Sequence, residues 1–398
     1  MKVGLKMGKN TFIIVTANNY PHGDAGAVRL QAFADILSTL GYSPYVICMG
    51  QTTHFKQKVL DNVCYMSLRY PSRSFVSRVK GRLLYTKNLK RVLRSFSSPD
   101  IKGILIDSGN DSTFKFIKEF ARKSDIPLYY DSVEWYSASE FKNGERSHIY
   151  QNNNNLNTTI VDAEYKVIAI SEYLRKHFES RGIHTVRIPM LMDVKSIPVR
   201  NNYISEDSRI KIVYAGSIGP KDHIRELVDS IGVLDETERS QIEFCVIGIT
   251  KEQYVKQFGK VDERVMDKSV RFMGRVERSI VLEQLQSADF AFLLRPAQER
   301  YAMAGFPTKV VEGLASGLPM LCNDSSDLAL YLQDGVNSVM IDDCSTESCV
   351  KALRKVLTYS REELNGMKIA ARKTAEENFD WRLYVDIIRC FIAGKVNV

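Results

Sequence analysis

The stretch RPAQERYAMAGFPTKVVEGLASGLPM, Arg295 to Met320, follows an apolar run at Phe290–Leu294 that has the length of a buried strand. A helix is expected to open at Pro307, because a first-turn residue needs no N–H. Gly317 suits the left-handed position after a helix end, Pro319 blocks continuation, and Met320-Leu321-Cys322 resumes a strand. The segment therefore reads strand, polar loop, helix, strand. Its helix N-terminus points out of the end of a parallel sheet, where open α/β sheets bind phosphorylated ligands.

Within that helix Val310, Val311, Leu314 and Ala315 form an apolar stripe for packing on the sheet. Thr308, Glu312 and Ser316 lie four apart on another side, with Lys309 close by. Glu312 then has two readings. It could bridge neighbouring sugar hydroxyls while phosphate sits at the helix end, or it could form an exposed pair with Lys309 worth a few tenths of a kcal/mol.

The rest of the chain repeats the alternation. Strands are expected at Thr11–Ala17, Ser43–Cys48, Gly103–Asp107, Pro127–Asp131 and Lys166–Ile170. A second series follows at Lys211–Ala215, Ile242–Gly248, Val270–Met273, Phe290–Leu294, Pro319–Cys322 and Ser338–Ile341. Helical periodicity fills the gaps, so the α/β chain of 398 residues is expected to form two Rossmann-like domains. The linker is placed at Pro189–Asp207, and the asparagine run Gln151–Asn157 is expected to be a flexible loop without chemistry.

Seven scattered cysteines, with no Cys-x-x-Cys, indicate neither a disulfide framework nor a zinc site and fit a reducing cytosol. The first apolar run, Phe12–Ala17, is too short for a signal-peptide core, and no run approaches the roughly 20 residues of a membrane span. Net charge is +8. Between Asp61 and Asp100 there is no acidic residue, yet Arg69, Arg73, Arg78, Lys80, Arg82, Lys87, Lys90, Arg91 and Arg94 are interleaved with apolar side chains. Such a face can be a solvated helix surface or a surface that sits on anionic lipid, each basic residue then adding about 1 kcal/mol. Nucleic acid is disfavoured, since no recognised binding module accompanies the patch.

Candidate chemistry gathers at strand ends. Gly26 ends the loop after the first strand, and Gly216 opens the turn that leads to Lys221 in the second half. Lys221 at a helix start opposes the helix dipole unless an anion binds there, so it is read as a phosphate ligand. Asp131 and Glu134 follow a strand directly and are candidate sugar ligands or proton handlers, with helix capping as the plainer role of Asp131. The acidic runs Asp107–Asp111 and Asp342-Asp343 are read as turn acids. No turn matches a dinucleotide or Walker pattern, and no Asp-x-Asp pair is placed to hold a metal on a diphosphate.

Taken together these residues resemble the retaining nucleotide-sugar glycosyltransferases of the GT-B fold, glycosyltransferase family 4. Besides Arg295–Met320 the resemblance rests on Val167–Ser171, Arg187–Asp193, Tyr214–Ser217 with Lys221, Phe272–Arg275, Ser287–Asp289 and Asn378–Trp381. It implies an N-terminal acceptor-binding domain over 1–195, a nucleotide-sugar domain over 196–375, and a final segment, 376–398, crossing back to the first domain. It also implies that Glu312 binds the ribose hydroxyls, that Lys221 binds the diphosphate, and that Gly274 and Arg275 lie beside the base. The backbone of Gly305, Phe306, Pro307, Thr308 and Lys309 would flank phosphate and sugar, and Gly26 would let the first loop approach the transferred sugar.

Two positions depart from the family pattern. Ala304 stands where a second glutamate is usual, eight residues before Glu312, with Glu299 as a nearby substitute. Ser217 or Ile218 stands where an arginine is usual, with Arg225 or Arg295 as candidates to supply the charge. The resemblance implies sugar transfer from a nucleoside diphosphate, UDP ahead of GDP, with Asp131, Glu134 and Lys221 as the catalytic set. No metal or other cofactor is implied. A basic first domain suits a lipid-linked glycan acceptor and a peripheral position on the cytoplasmic face of a membrane, in surface polysaccharide synthesis such as that of lipopolysaccharide. The rivals are a nucleotide-sugar epimerase on the same fold and a non-catalytic membrane-associated partner with a decayed site.

Overall fold

Short apolar runs separated by amphipathic segments assemble into two predominantly parallel sheets. The computed structural model describes residues 9–21, 25–49, 56–68, 75–96, 98–199, 209–217, 219, 221–260, 265 and 268–395, apart from the side chains of 75–83 and Ser98. The last part of the expected linker, 200–207, is outside the described residues. The chain divides into two units, Met1–Met192 with Trp381–Val398, and Asp193–Asp380.

The first unit contains β1 (Thr11–Val15), β2 (Ser43–Cys48), β3 (Lys58–Leu60), β4 (Val63–Ser67), β5 (Ile101–Ile106), β6 (Leu128–Ser132), β7 (Tyr165–Ala169) and β8 (Thr185–Arg187). They line up in the order β3-β4-β2-β1-β5-β6-β7-β8. All neighbours are parallel except β3 and β4, a hairpin turned by Asp61 and Asn62 at φ 46° and 66°. That hairpin escapes a pattern search because Lys58 and Val59 face solvent. The final helix, Val385–Ile392, sends Ile388 and Phe391 into a core shared with Phe12, Phe33, Leu105 and Tyr129.

The second unit contains β9 (Ile210–Ala215), β10 (Ile242–Ile247), β11 (Val270–Gly274), β12 (Phe290–Leu293), β13 (Met320–Asn323) and β14 (Ser338–Ile341), all parallel, in the order β11-β10-β9-β12-β13-β14. In both sheets the chain order reverses beside the first strand. The crevice lies there, between the loops after β1 and β5 and between those after β9 and β12. The division comes at Asp380 rather than after 375 because the helix Arg361–Asn378 is tied into the second unit throughout. Lys368 Nζ donates to Asp289 at 2.9 Å, and Arg372 Nη1 donates to the Ala315 carbonyl at 2.5 Å.

In the segment that decides the fold, the helix runs over Thr308–Ala315, with Pro307 one residue outside it as the cap at φ −75°, ψ 111°. Gly317 is left-handed at φ 77°. It donates to Leu314 O while Leu318 donates to Gly313 O, both at 2.9 Å, which closes the helix end. The polar loop before it gains one unanticipated turn of helix, Arg300–Ala304.

Candidate functional site

At the crevice of the second unit, two cations share one carboxylate. Lys309 Nζ donates to Asp222 Oδ2 at 2.6 Å and Arg295 Nε donates to Oδ1 at 2.9 Å. Tyr214 Oη donates to Oδ2 at 2.9 Å, and the Lys309 ammonium lies 5.1 Å from the centre of the Tyr214 ring. The neighbouring cations hold the Asp222 carboxyl well below the usual carboxylate range, against the opposing effect of its burial. Backbone contacts fix the frame. The Asn323 amide brackets Arg295, accepting from its N–H at 2.9 Å and donating to its carbonyl at 2.6 Å. His223 N–H donates to Leu294 O at 3.0 Å, joining the loop after β9 to the end of β12.

The cluster needs Gly216. A Cβ there would lie 2.5 Å from Lys309 Cε and 2.7 Å from Tyr214 Oη. Gly216 is pressed from the other side by Gly248, at φ 95°, where a Cβ would come within 2.2 Å of the Gly216 carbonyl oxygen. Lys221 stands apart from the cluster, its ammonium 5.5 Å from the Tyr301 ring centre. Ile218 and Pro220 of the same turn are outside the described residues.

Glu312 sits one turn inside the Thr308–Ala315 helix. Burial raises its carboxyl pKa, against the weaker pull of Arg278 and Lys309. Among the described residues its carboxylate accepts no hydrogen bond and forms no ion pair, because Lys309 is committed to Asp222. The exposed Lys309–Glu312 pair is thus replaced by a half-buried carboxylate with no described partner, a costly arrangement in an unliganded protein.

Of the remaining expected residues, Arg225 pairs with Asp229 on an exposed helical face at 3.2 Å, so Arg295 is the one that joins the cluster. Gly274 is left-handed at φ 62° and exchanges backbone hydrogen bonds with Gly248 and Ile249, with Arg275 exposed beyond it. Gly305 is extended, and the Phe306 ring is packed against Tyr331 and Phe379, which leaves its backbone as the part that could meet a ligand.

The crevice of the first unit opens into a cavity of about 880 Å³, lined by Asn18, Gly26, Asp107, Asp111, Glu134 and Tyr136 among others. His22 to Asp24 of the first loop are outside the described residues. Asp131 is corrected from proton handler to anchor. Both of its oxygens are taken by Arg29, from Nε at 2.8 Å and Nη2 at 2.7 Å, and Arg29 also donates to Pro189 O and Ile188 O.

The carboxylate that does face the cavity with a shifted pKa is Asp107. Burial pushes it up to about 6, against hydrogen bonds from Ser108, Thr16 and Asn18. Its reading as a turn acid missed this, because Thr16 is brought to it only by the pairing of β1 with β5. Asp343 does act as a turn acid, accepting from Ser345 N at 2.9 Å.

The asparagine run is also corrected. Residues His148–Asn155 form a helix that continues as one π-turn over Leu156–Ile160. Its amides cross-link the cavity wall. Asn152 accepts from Asp111 N at 3.0 Å, Asn153 accepts from Tyr136 N at 2.9 Å and donates to Glu134 O at 3.0 Å, and Asn157 accepts from Ser132 Oγ at 3.3 Å.

Residues 198–374, most of the second unit, match the family model of group 1 glycosyl transferases. The chain carries a group 1 glycosyltransferase domain. No curated protein sequence matches the chain. Among solved structures, HepE of Anabaena in complex with UDP and glucose aligns over 96% of this chain and 99% of its own at 14% identity, TM-score 0.70. Sucrose-phosphate synthase of Thermosynechococcus elongatus aligns over 97% and 100% at 12% identity, TM-score 0.76. WaaG, a glycosyltransferase involved in lipopolysaccharide biosynthesis, aligns over 96% and 100% at 15% identity, TM-score 0.66. The glycosyltransferase thus has the GT-B fold, two Rossmann-like domains built on parallel sheets.

Proposed function

We propose that this enzyme transfers a sugar, with retention of configuration, from a nucleoside diphosphate to a hydroxyl of a lipid-linked glycan in surface polysaccharide synthesis, as a member of family 4. The observation that carries the reading is the pairing of two cations on Asp222 beside a half-buried Glu312 that has no partner among the described residues, on the helix that carries Lys309. One carboxylate leaves the Lys309–Arg295 cluster with a net positive charge, and Lys221 adds another on the same loop. Breaking a sugar–phosphate bond builds negative charge on the departing diphosphate. Fixed cations and the N-terminus of the Thr308–Ala315 helix stabilise that charge without a metal. Glu312 gains the hydroxyl partners it lacks when a ribose binds. UDP is preferred over GDP on the likeness to HepE, whose structure holds UDP.

The cavity of the first unit is assigned to the acceptor, with Asp107 and Glu134 as its polar contacts. The helix Phe75–Leu93 is assigned to an anionic membrane surface on the cytoplasmic side. Lys87 and Arg91 on it and Arg94 just after it are exposed, and Lys90 lies 5.1 Å from the Phe116 ring centre. Arg69 and Arg73, and the side chains of Arg78, Lys80 and Arg82, are outside the described residues. No described helix is long and apolar enough to cross a membrane.

Calorimetry with UDP and GDP tests the donor half. Binding of UDP that is lost in Glu312→Ala is expected, and binding of neither nucleotide would sink the reading in favour of a decayed site. Transfer to a membrane extract that survives EDTA is expected, whereas free sugar released without acceptor would favour an epimerase. Pelleting with anionic vesicles, abolished when the basic residues from 69 to 94 are neutralised, checks the membrane surface.

A further inference from the structure

None of the side chains of the helix His148–Asn155 is fully buried, so amide hydrogen bonds rather than a buried apolar stripe fix it to the first unit. They converge on the residues that follow β6. Asn153 pairs with Glu134 and Tyr136 as a neighbouring strand would, its Oδ1 accepting from Tyr136 N at 2.9 Å and its Nδ2 donating to Glu134 O at 3.0 Å. Asn157 Nδ2 adds a second donor to Glu134 O, at 3.3 Å. Between them Trp135 is sent the other way. It is buried, its indole Nε1 donates to Asn154 Oδ1 at 3.1 Å, and its ring centre lies 4.3 Å from that of His177. Glu134 and Tyr136 are thereby placed together on the cavity wall, both half-buried. There the Tyr136 hydroxyl donates to the Glu134 carboxylate, and the Tyr136 ring is braced edge-on by Phe141, with 5.4 Å between ring centres. Burial and the Glu134 charge raise the Tyr136 pKa, which keeps the hydroxyl protonated as a donor.

We propose that Tyr136 and Asn153 are positioning residues for acceptor recognition, holding the Glu134 carboxylate in one direction to accept from a hydroxyl of the incoming glycan. The inference rests on the glycosyl-transfer reading above and adds to it how an acceptor hydroxyl is selected. An unrestrained glutamate is among the side chains that lose most rotamer freedom when they are ordered. Here that loss falls on folding, because Asn153 fixes the backbone on both sides of Trp135 and Tyr136 fixes the carboxylate. An acceptor then meets a hydrogen-bonding group already in place, which leaves more of the contact energy for binding. A carboxylate has about four acceptor positions, so the bond from Tyr136 is compatible with further bonds from sugar hydroxyls.

The test measures transfer from radiolabelled UDP-glucose, UDP-galactose and UDP-N-acetylglucosamine to a membrane extract by the full-length chain. The extract concentration is varied, and UDP affinity is taken by calorimetry on the same preparations. Tyr136→Phe is expected to raise the KM for extract about tenfold, the scale of a lost hydrogen bond to a charged group, with UDP affinity and melting temperature retained. Asn153→Ala should act in the same direction. In the Glu134→Ala background Tyr136→Phe should change KM by less than about twofold, because no carboxylate is left for it to position. A purely structural role of Tyr136 would persist in that background. A KM unchanged by Tyr136→Phe overturns the proposal, as does an equal effect with and without Glu134, or a fall in kcat with KM unaltered. If Asn153→Ala fails to fold, Tyr136→Phe and the double variant decide alone. An unmodified chain that binds UDP but transfers sugar to no component of the extract overturns the glycosyl-transfer reading, and this proposal with it.

Discussion

Asp222 holds Lys309 and Arg295 on its two oxygens at 2.6 and 2.9 Å, although the three residues come from three separate loops and helices of the second unit. The carboxylate sets the separation and direction of the two cations, and it is itself buried to 8% exposure. Asp222→Asn should therefore cost about 3 kcal/mol of stability, the scale for breaking a largely buried ion pair. It should also weaken UDP binding about tenfold through loss of positioning. Denaturant unfolding and calorimetry check both effects, and tighter UDP binding would show that Asp222 competes with the ligand instead. The folded-state pKa is depressed, so this stability is present above the ordinary carboxylate pKa near 4 and is lost only as pH falls below it. The acid limb of the wild-type stability curve should be shallower in the variant.

Glu312 predicts opposite signs for stability and binding. Its carboxyl is raised by burial and has no partner, so Glu312→Gln removes a desolvation cost and should stabilise the unliganded chain by about 1 kcal/mol. The same change should reduce UDP affinity at least tenfold, since a neutral amide accepts ribose hydroxyls less strongly than a carboxylate. Thermal melts with and without UDP decide it. A variant that melts lower and binds equally well would assign Glu312 to the fold.

Legibility in the sequence falls with the separation of the residues that meet. The Thr308–Ala315 helix announces itself through local rules, with Val310, Val311, Leu314 and Ala315 at helical spacing and Pro307 and Gly317 as punctuation. The same spacing puts Glu312 on the face away from that stripe. Nothing local pairs Asp222 with Arg295 and Lys309, which lie 73 and 87 residues away and meet it only because β9 and β12 are adjacent. Asp131 reads as a free cleft carboxylate because Arg29, 102 residues earlier, leaves no local trace of their pairing. The asparagine run misleads for a similar reason. Asparagine is a poor helix former in isolation, and its amides stabilise a helix here only by bonding to the backbones of Asp111, Glu134 and Tyr136.

Gly216 is required by space. Its φ does not lie in the left-handed region, so Gly216→Ala carries no backbone penalty of that kind. The added methyl must displace the Lys309 side chain or the Tyr214 ring, both under 3.0 Å away. A loss of about 1–3 kcal/mol is expected for such overpacking, with weaker UDP binding because Lys309 is the more flexible neighbour. Gly248→Ala should be worse, since its Cβ would strike the Gly216 carbonyl at 2.2 Å from a left-handed backbone. Comparing the two variants by melting and calorimetry checks that order.

Arg29 and Asp131 should behave as one unit. The pair is almost fully buried, with a side-chain exposure of 3% and 1%, and Arg29 ties β6 to the backbone after β8. Asp131→Asn or Arg29→Met alone should cost about 3–5 kcal/mol, since each leaves an uncompensated buried charge or unpaired donors. The double variant should be less damaging than the sum of the two, and the double-mutant cycle measures the coupling. Additive losses would restore Asp131 to an independent role in the cavity.

Asp107 gives the pH dependence of the first unit, with a sign opposite to that of Asp222. Its folded-state pKa is raised to about 6, so between the ordinary carboxylate value near 4 and pH 6 the folded protein binds more protons than the unfolded chain. Stability conferred by the protonated form is then lost as pH rises through that window. The full change is bounded by about 3 kcal/mol, two pKa units at roughly 1.4 kcal/mol each. In Asp107→Asn the group no longer titrates, and the amide keeps one acceptor for Thr16, Ser108 or Asn18. The stability difference between variant and wild type should therefore shift in favour of the variant from pH 4 to pH 6.5 and level off above. Unfolding midpoints measured across that range check it. A difference that stays flat would show that Asp107 titrates as an ordinary carboxylate, with its hydrogen bonds from Thr16, Ser108 and Asn18 fully offsetting its burial.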